Sequence, residues 1–371
     1  MSVRRSENGD GNDTPVYNGF WDTRPQQARY WLPILYSASQ LFLRFVVGHE
    51  IEDCINSLVV YTDEALETAP GAYPHYQQEV DHCWQGSAAF WHDVLSVVNP
   101  SRLTILASPV ELACLVNCSI STVHEWAFSD MDFHILSLHQ NTSSRSLSQL
   151  QPYNPHHAIP YSYSAVASAS ILHARPWHHA ALNEGSFLKA YATYEYFERG
   201  PPSVIYSIKT FLHGLSHDQS NASPILPPHH SIDSFAYTAI FPFANHITAT
   251  RDDDATTGLS LQTCPKLKHL TLQLAPDPHS TILDDPARVG KADLSDCWAE
   301  LESCYASLGA PKPGSRNQFL PGGSLQVLVC KDYRTQALCE DLDRNLGRLG
   351  DVGWEKVGVG TWRRMGGGGG V

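Results

Sequence analysis

Amphipathic helices that alternate with short apolar strands form the main pattern of the chain. Over residues 84–98, apolar side chains recur every three or four positions, which places them on one face of a helix. The Asn-Pro pair at 99–100 ends that helix, and the run of Leu and Ile at 102–108 predicts a strand. Ser108 and Glu111, with a proline directly after the serine, form a capping box, so the next helix begins at once. This part of the sequence therefore predicts a helix, a strand and a helix in direct succession.

The same pattern returns near the carboxyl end. A broad apolar helical face runs from Leu294 to Leu308, and Gly309 follows it in the position of a helix terminator. A buried strand is predicted at 323–330, then a leucine-rich helix between Thr335 and Gly350, and a last strand at 354–362. Further apolar segments that predict strands are Leu41–Val47, Ile55–Tyr61, Asp132–Leu138, Ser234–Phe241 and Cys264–Leu274.

Strands that alternate with helices pair in parallel through crossover connections, which predicts the α/β class. The segment Cys264–Leu274, CPKLKHLTLQL, has the L-x-x-L-x-L spacing of a leucine-rich repeat strand. We therefore predict an irregular leucine-rich-repeat-like solenoid of helix-strand units with a mainly parallel sheet; a doubly wound α/β sheet is the alternative. In such a strand Lys268, Thr271 and Gln273 form the candidate exposed face, and the leucines between them face the core.

Composition predicts one folded region between two tails. Residues 1–24 are polar and rich in Gly and Asn, and 363–371 carry five consecutive glycines, so both are predicted to be flexible. Residues 25–362 form the predicted leucine-rich-repeat-like domain. It has loop insertions near 140–170, 214–231 and 248–258, where Ser, Pro, His or Asp predominate.

Net charge and cysteine content indicate which kinds of partner and which compartment suit the protein. The chain has 371 residues with 25 Lys+Arg against 38 Asp+Glu, a net charge of −13, which disfavours a nucleic acid or an anionic membrane as the main partner. No apolar run approaches the roughly 20 residues that cross a bilayer, and no secretory signal is recognised at the amino end. Nine cysteines, an odd number, are typical of a reducing compartment, so we expect an intracellular protein of the cytoplasm or nucleus.

Familiar catalytic and metal motifs are missing from the sequence. There is no phosphate-binding loop, no dinucleotide-binding glycine motif and no nucleophile elbow, so no catalytic residue, cofactor or metal site is predicted. Cys114 and Cys118 lie four apart without a second pair, and the acidic triplet 252–254 fits a solvated turn. The histidine doublets at 156–157 and 229–230 fall in the predicted loops, where adjacent side chains diverge.

One segment, Ala174–Gly200, carries candidate site residues. If it forms a helix from Pro176, Glu184 falls on or near the apolar face, where a buried carboxylate needs a partner. Arg175, His178 or His179 would supply that partner. The four residues would act either as a polar lock that fixes the helix or as a buried acid/base pair.

Three stretches, at 99–138, 175–205 and 264–276, resemble a group of filamentous-fungal F-box and leucine-rich-repeat-like proteins. The first includes SRLTILASPVELACLVN, the second RPWHHAALNEGSF and the third CPKLKHLTLQLAP, and the likeness extends over roughly residues 26–350. The F-box signature itself is not evident. The resemblance implies a protein partner, with an F-box that docks a Skp1-type adaptor and a repeat face that presents a substrate to a ubiquitin ligase.

The predicted function is therefore non-enzymatic protein recognition by a solenoid surface, with no cofactor. The alternative is an α/β hydrolase or transferase with a degenerate site at Arg175, His178, His179 and Glu184. A third interpretation is a protein that keeps the fold without an activity. The sequence leaves the identity of the partner and the oligomeric state open.

Overall fold

A nine-stranded β-sheet organises the fold in the computed structural model of the chain. The structure describes residues 38–62, 84–116, 118, 133–140, 170–192, 203–214, 231–247, 260–309 and 324–365. The strands are β1 (Ser57–Tyr61), β2 (Arg102–Ala107), β3 (His134–His139), β4 (His179–Ser186), β5 (Ser234–Ile240), β6 (His269–Gln273), β7 (Val327–Cys330), β8 (Trp354–Gly358) and β9 (Thr361–Arg364).

The strands lie in the sheet almost in their order along the chain. From one edge to the other the order is β1-β2-β3-β4-β5-β6-β7-β9-β8, so β1 to β7 extend the same sheet in one direction and β9 lies between β7 and β8. The pairs β1/β2, β4/β5, β5/β6 and β6/β7 are parallel, whereas β3 runs antiparallel to both neighbours and β7, β9 and β8 pair antiparallel. The protein is therefore α/β with a mixed sheet, and the sequence-based expectation of a mainly parallel sheet was wrong at β3 and at the carboxyl end.

Helices connect the strands. Five of those described are short, with no more than eight residues, and α1 is given as far as the structure describes it. The helices are α1 (38–48), α2 (Trp84–Val97), α3 (Pro109–Val116), α4 (Ile171–Ala174), α5 (Ile205–His213), α6 (Ala244–Ile247), α7 (Pro286–Val289), α8 (Leu294–Gly309) and α9 (Cys339–Leu346). Short 3-10 helices lie at Glu52–Cys54, Leu188–Ala192, Leu261–Thr263, Lys331–Arg334, Gln336–Leu338 and Gly347–Val352.

The two faces of the sheet differ in burial. In β2 to β7 alternate residues are buried and the residues between them are half-buried or exposed, because successive side chains of a strand point to opposite faces. The buried face supplies Leu103, Leu136, Leu182, Phe235 and Leu272 to one continuous hydrophobic core. We call this the covered face and the other the open face.

The local signals around Ser108 predicted the structure correctly. The backbone N–H of Glu111 donates to Ser108 Oγ at 3.4 Å, and the N–H of Ser108 donates to Glu111 Oε2 at 3.3 Å, which is the reciprocal capping box expected from the sequence. The helix before it, α2, buries Trp91 and Leu95 as the spacing predicted. The predicted strands at 55–61, 102–108, 132–138, 234–241 and 323–330 and the helix at 294–309 are also confirmed.

The predicted strand Leu41–Val47 is instead part of helix α1. Leu43 and Val46, three positions apart, are buried, while Leu41 and Phe45 are exposed, and this spacing is that of a helix surface. A short apolar run fits either element, since seven residues span fewer than two helical turns and give the pattern little power to discriminate.

The predicted helix from Pro176 is also wrong, because residues 179–186 form strand β4. Ala180, Leu182 and Glu184 are buried, and His179 and Asn183 are half-buried, which is a period of two rather than 3.6. Neighbours β3 and β5 flank this segment on both sides and satisfy its backbone as a ladder.

The carboxyl end differs from the prediction in one detail. The single strand predicted at 354–362 is a hairpin of β8 and β9, with Gly360 in the turn at a φ of +63°. Since β9 continues to Arg364, the tail boundary predicted at residue 363 lies too early. The predicted tail 1–24 and the insertion near 248–258 lie outside the described residues, and so do the insertions near 140–170 and 214–231 apart from their end residues.

Within the described ranges, no helix combines the length and the apolar character that a membrane span requires.

Candidate functional site: the open face of the sheet

The middle of the open face is a row of small side chains. Seven strands each contribute one residue, directly opposite its neighbours in the register of the sheet, and every one of them is half-buried. In spatial order the row is Thr104, Ser137, Ala181, Ala236, Thr271, Val329 and Thr361. Short side chains without charge leave the surface shallow, so the backbone of another molecule can approach it closely.

A polar row with three histidines lies on one side of this middle row. It follows the amino-terminal ends of β4, β5 and β6, together with the carboxyl end of the antiparallel β3. In spatial order it consists of Arg102, His139, His179, Ser234, His269, Val327 and Arg363. The histidines come from three different strands, so their proximity is a product of strand order and register.

His139 and His179 face each other across β3 and β4. Their ring centroids are 5.2 Å apart in an edge-to-face arrangement, and the Nδ1 atom of His179 lies 2.9 Å from the Oγ atom of Ser234. Burial lowers the pKa of both rings; Arg102 adds to the effect at His139, and at His179 the His139 ring adds to it while Asp233 opposes it. At neutral pH this pair is therefore an uncharged hydrogen-bonding surface.

The third row of the open face mixes aliphatic and polar side chains. It contains Leu106, Ile135, Asn183, Thr238 and Gln273, all half-buried. Together the three rows place mainly hydrogen-bonding groups at one side, small groups in the middle, and a mixture of aliphatic, hydroxyl and amide groups at the other side.

Two of the three residues predicted for the exposed strand face lie in these rows. Thr271 belongs to the middle row and Gln273 to the third, while Leu270 and Leu272 are buried on the covered face. Lys268 precedes β6 and is exposed, and its Nζ atom lies 3.3 Å from Asp233 Oδ2.

The predicted polar lock is not formed by the four residues that the sequence suggested. His179 and Glu184 lie five positions apart in one strand, so their side chains point to opposite faces of the sheet, the open face and the covered face. Arg175 donates to the Asn99 side chain and to the carbonyl oxygens of Leu95 and Val98 at 2.8 and 3.0 Å. Arg175 thus caps the carboxyl end of α2 instead of meeting Glu184.

Glu184 has a different set of partners. It is fully buried, and it accepts hydrogen bonds from Ser203 Oγ at 2.7 Å, from the Val204 N–H at 2.9 Å and from the Tyr237 hydroxyl at 2.7 Å. These donors come from the segment before α5 and from β5, so the carboxylate ties three chain segments together. Glu184 is still a polar lock, but its partners are 19, 20 and 53 residues away in sequence, where no local pattern points to them.

Burial sets the protonation of this cluster. It raises the pKa of Glu184 to about 6, against the lowering effect of the bonds from Ser203, Tyr237 and Val204. His134 lies beside it on the covered face, with Nδ1 3.7 Å from Glu184 Oε1, and burial lowers its pKa to about 3. His134 is therefore neutral at pH 7, and the contact is not an ion pair.

A second buried carboxylate repeats the arrangement farther along the sheet. Asp332, after β7, accepts from the N–H groups of Leu274 and Ala275 at 2.9 and 3.0 Å and from the Tyr305 hydroxyl at 2.8 Å. It lines a shallow surface depression with Gln273 and Arg334. Neighbouring chain segments supply the hydrogen bonds of both carboxylates, so we assign Glu184 and Asp332 to structure rather than to ligand binding.

Metal binding finds no support in the part of the chain that the structure describes, where no group of three or more His, Cys, Asp or Glu side chains is arranged to hold an ion. Cys114 is buried, and Cys297 and Cys304 are buried in α8, where burial raises the pKa of the Cys297 thiol to about 12. The doublets 156–157 and 229–230 and the triplet 252–254 lie outside the described residues.

Neither protein-family models, nor curated protein sequences, nor solved structures give a match to this chain. The resemblance to fungal F-box and leucine-rich-repeat-like proteins therefore stays a prediction, and the geometry of the open face is the basis for a function.

Proposed function

We propose that the protein is a non-enzymatic protein-recognition module whose open sheet face binds a protein partner. One observation carries the proposal: across seven strands one face of the sheet is buried, while the register-matched residues of the other stay half-buried or exposed. A sheet face left open in this way is an extended surface, which suits a protein better than a small molecule.

The strand order supports an irregular leucine-rich-repeat-like solenoid as the finer description. In a solenoid each unit adds its strand beside the previous one, and β1 to β7 follow that rule without a reversal of order. A doubly wound sheet would instead reverse its order at a switch point. The antiparallel β3 is a departure from a regular repeat, so the units of the proposed solenoid are not equivalent to one another.

The size of the face fits a modest interface. Six spacings of about 4.8 Å separate the seven strands. The first two rows cover about 6.6 Å along all seven strands and the third row adds about 6.6 Å along five of them, which gives roughly 300 Å². A standard interface buries about 800 Å² on each partner, so the partner must also contact segments beside the sheet.

The proposal includes a finer role in substrate recognition for a ubiquitin ligase, with a Skp1-type adaptor as a second partner. The apolar side chains that α1 exposes support it, since Leu41 is 66% and Phe45 54% exposed. Large exposed apolar side chains on a helix commonly mark a docking surface. The hydrolase or transferase alternative at Arg175, His178, His179 and Glu184 gains no support, because Arg175 caps α2 and His179 and Glu184 lie on opposite faces of the sheet.

The test is affinity purification of the full-length protein from its native cell, with mass spectrometry of the co-purifying proteins. Ala236→Arg places a long cation in the middle row, and we expect it to remove the partners of the open face. The matched control is Ala287→Arg, a change of an exposed alanine in α7, away from the sheet. Retention of all partners by Ala236→Arg, or recovery of the chain alone, would overturn the proposal.

The adaptor is tested separately in the same experiment. We expect Phe45→Glu to remove a Skp1-type adaptor while the partners of the open face remain. If no such adaptor co-purifies with the unmodified chain, the role in a ubiquitin ligase is wrong. Recognition by the open face is then tested by the Ala236→Arg result alone.

A further inference from the structure

Strand β1 forms one edge of the sheet and has one neighbour, β2, in the described part of the chain. Its five residues, SLVVY at 57–61, pair in parallel with β2 from Arg102 to Leu106. An edge strand presents backbone N–H and C=O groups that a further strand can use. This edge is distinct from the proposed open face, because backbone groups rather than central side chains form it.

Backbone hydrogen bonds show which groups point away from β2. The Asn56 carbonyl accepts from the Arg102 N–H at 3.1 Å, and the Thr62 N–H donates to the Leu106 carbonyl at 3.0 Å. Successive residues of a strand alternate in direction, so the even-numbered residues of β1 face β2. The N–H and C=O groups of Ser57, Val59 and Tyr61 therefore point outward, three donors and three acceptors in a row.

The edge at β1 lacks the usual protection against pairing. Its sequence contains no charged residue and no proline, and Val59 and Tyr61 are 62% and 52% exposed. The opposite edge, β8, carries Glu355 and Lys356 and an irregular register before Gly358. Charges and irregularities of this kind block edge pairing. The two edges of the same sheet thus differ, and only β8 has the features that prevent strand addition.

The surroundings of β1 indicate the charge of the incoming strand. Glu50 and Asp53, both exposed, and the half-buried Glu52 lie in the segment that leads into β1. These carboxylates favour a strand with Lys or Arg beside the start of β1. A second copy of this chain is disfavoured, because each copy has a net charge of −13.

We propose that β1 is a strand-addition site for an extended segment of another protein, one that alternates small or β-branched apolar residues and carries basic residues at its ends. Backbone bonds to Ser57, Val59 and Tyr61 supply the affinity. The side chains of Val59 and Tyr61 supply an apolar contact on one face, and the acidic segment before β1 selects the basic ends.

The test uses synthetic peptides of about ten residues, long enough to cover a strand of the usual length. One peptide alternates valine and threonine between lysine pairs, and its matched control has glutamate pairs instead. Binding to the full-length protein is measured by fluorescence anisotropy at low and high salt. We expect the lysine peptide to bind more tightly, with a preference that shrinks at high salt because screening weakens charge attraction.

Variants at Val59 separate strand addition from other binding. Val59→Pro removes an outward N–H without removing a bond to β2, and the ring obstructs an incoming strand. We expect this variant to bind the lysine peptide about tenfold or more less tightly, because a hydrogen bond is lost and the ring clashes with the peptide. Val59→Thr keeps the backbone donor and should bind nearly as well as the unmodified chain. Unfolding in urea verifies that both variants are folded.

Amide hydrogen exchange gives a second measurement. Peptide binding should slow exchange at Val59 and Tyr61 and leave Val60, which already faces β2, unchanged. No binding of the lysine peptide, or equal binding by Val59→Pro and Val59→Thr, would overturn the proposal. Concentration-dependent dimerisation that Val59→Pro abolishes would also overturn it, since the occupant would then be a second copy.

Discussion

His246 provides the sharpest test of how burial controls the stability of this fold. Its ring is fully buried and lies edge-on to Phe187, Tyr206 and Phe243, with centroids 5.2 to 5.7 Å away. Neither ring nitrogen has a hydrogen-bond partner among the described residues. Burial, with a smaller effect from Lys209, lowers the pKa of His246 to about 3 from an ordinary value of 6.5.

The sign of the pH dependence follows from this pKa. A histidine with a lowered pKa in the folded state stabilises the fold above pH 6.5, and that contribution is lost as the pH falls toward 3, because the unfolded chain binds the proton more tightly. At pH 5.0 the unfolded histidine has gained about 2 kcal/mol of protonation free energy that the folded one has not. The lowered pKa of His134 likewise makes the fold less stable at acidic pH. The raised pKa of Glu184 has the opposite effect and offsets roughly 1 kcal/mol of this loss of stability between pH 7.5 and pH 5.0.

We expect His246→Phe to remove the His246 part of this dependence. The difference in unfolding free energy between pH 7.5 and pH 5.0 should shrink by about 2 kcal/mol. At pH 7.5 the variant should be as stable as the unmodified chain or more stable by up to ~2 kcal/mol, because two unpaired polar nitrogens leave the core. Urea unfolding followed by tryptophan fluorescence at both pH values measures these quantities.

A control in the same cluster is Phe243→Leu, which changes packing but no titratable group. It should lower the unfolding free energy by a similar amount at both pH values. If His246→Phe leaves the pH difference unchanged, or is destabilised by more than about 2 kcal/mol at pH 7.5, the inference of an unpartnered neutral ring is refuted.

Three further predictions concern contacts and backbone positions that stabilise the fold. Tyr237→Phe should cost about 1.5–3 kcal/mol because Glu184 loses a charge-assisted bond, and the loss in urea unfolding should be larger at pH 8 than at pH 5, where the carboxyl is protonated. Gly360→Ala should lower the unfolding free energy by more than ~2 kcal/mol, since φ is +63° and a Cβ atom would lie 2.2 Å from the Cys330 carbonyl oxygen. Its control, Gly353→Ala, has a φ of +84° but open space around the Cβ position, and should lower it by only about 1 kcal/mol. Thermal melts measure both variants. Arg175→Met should cost about 2–4 kcal/mol by uncapping α2, seen as faster amide exchange at its carboxyl end, and Arg175→Lys should restore part of the loss.

Local patterns in the sequence determined the elements whose signals lie within a few residues. The capping box at Ser108 and Glu111 starts α3. The apolar spacing correctly identified Trp91 and Leu95 of α2 and the buried face of α8, because both signals depend on contacts within one helix. The alternation in β6 likewise separated Leu270 and Leu272 from Thr271 and Gln273.

Tertiary structure decided the rest. The segments at 41–47 and 179–186 are too short for their apolar patterns to distinguish helix from strand, so packing and strand pairing chose the element. Glu184 took its partners from Ser203 and Tyr237, and the histidine row was assembled from three strands, because register, not sequence distance, brings residues together in a sheet. The sequence thus determined which positions along each strand or helix are apolar and which are polar. The order and direction of the nine strands determined which of these residues contact one another.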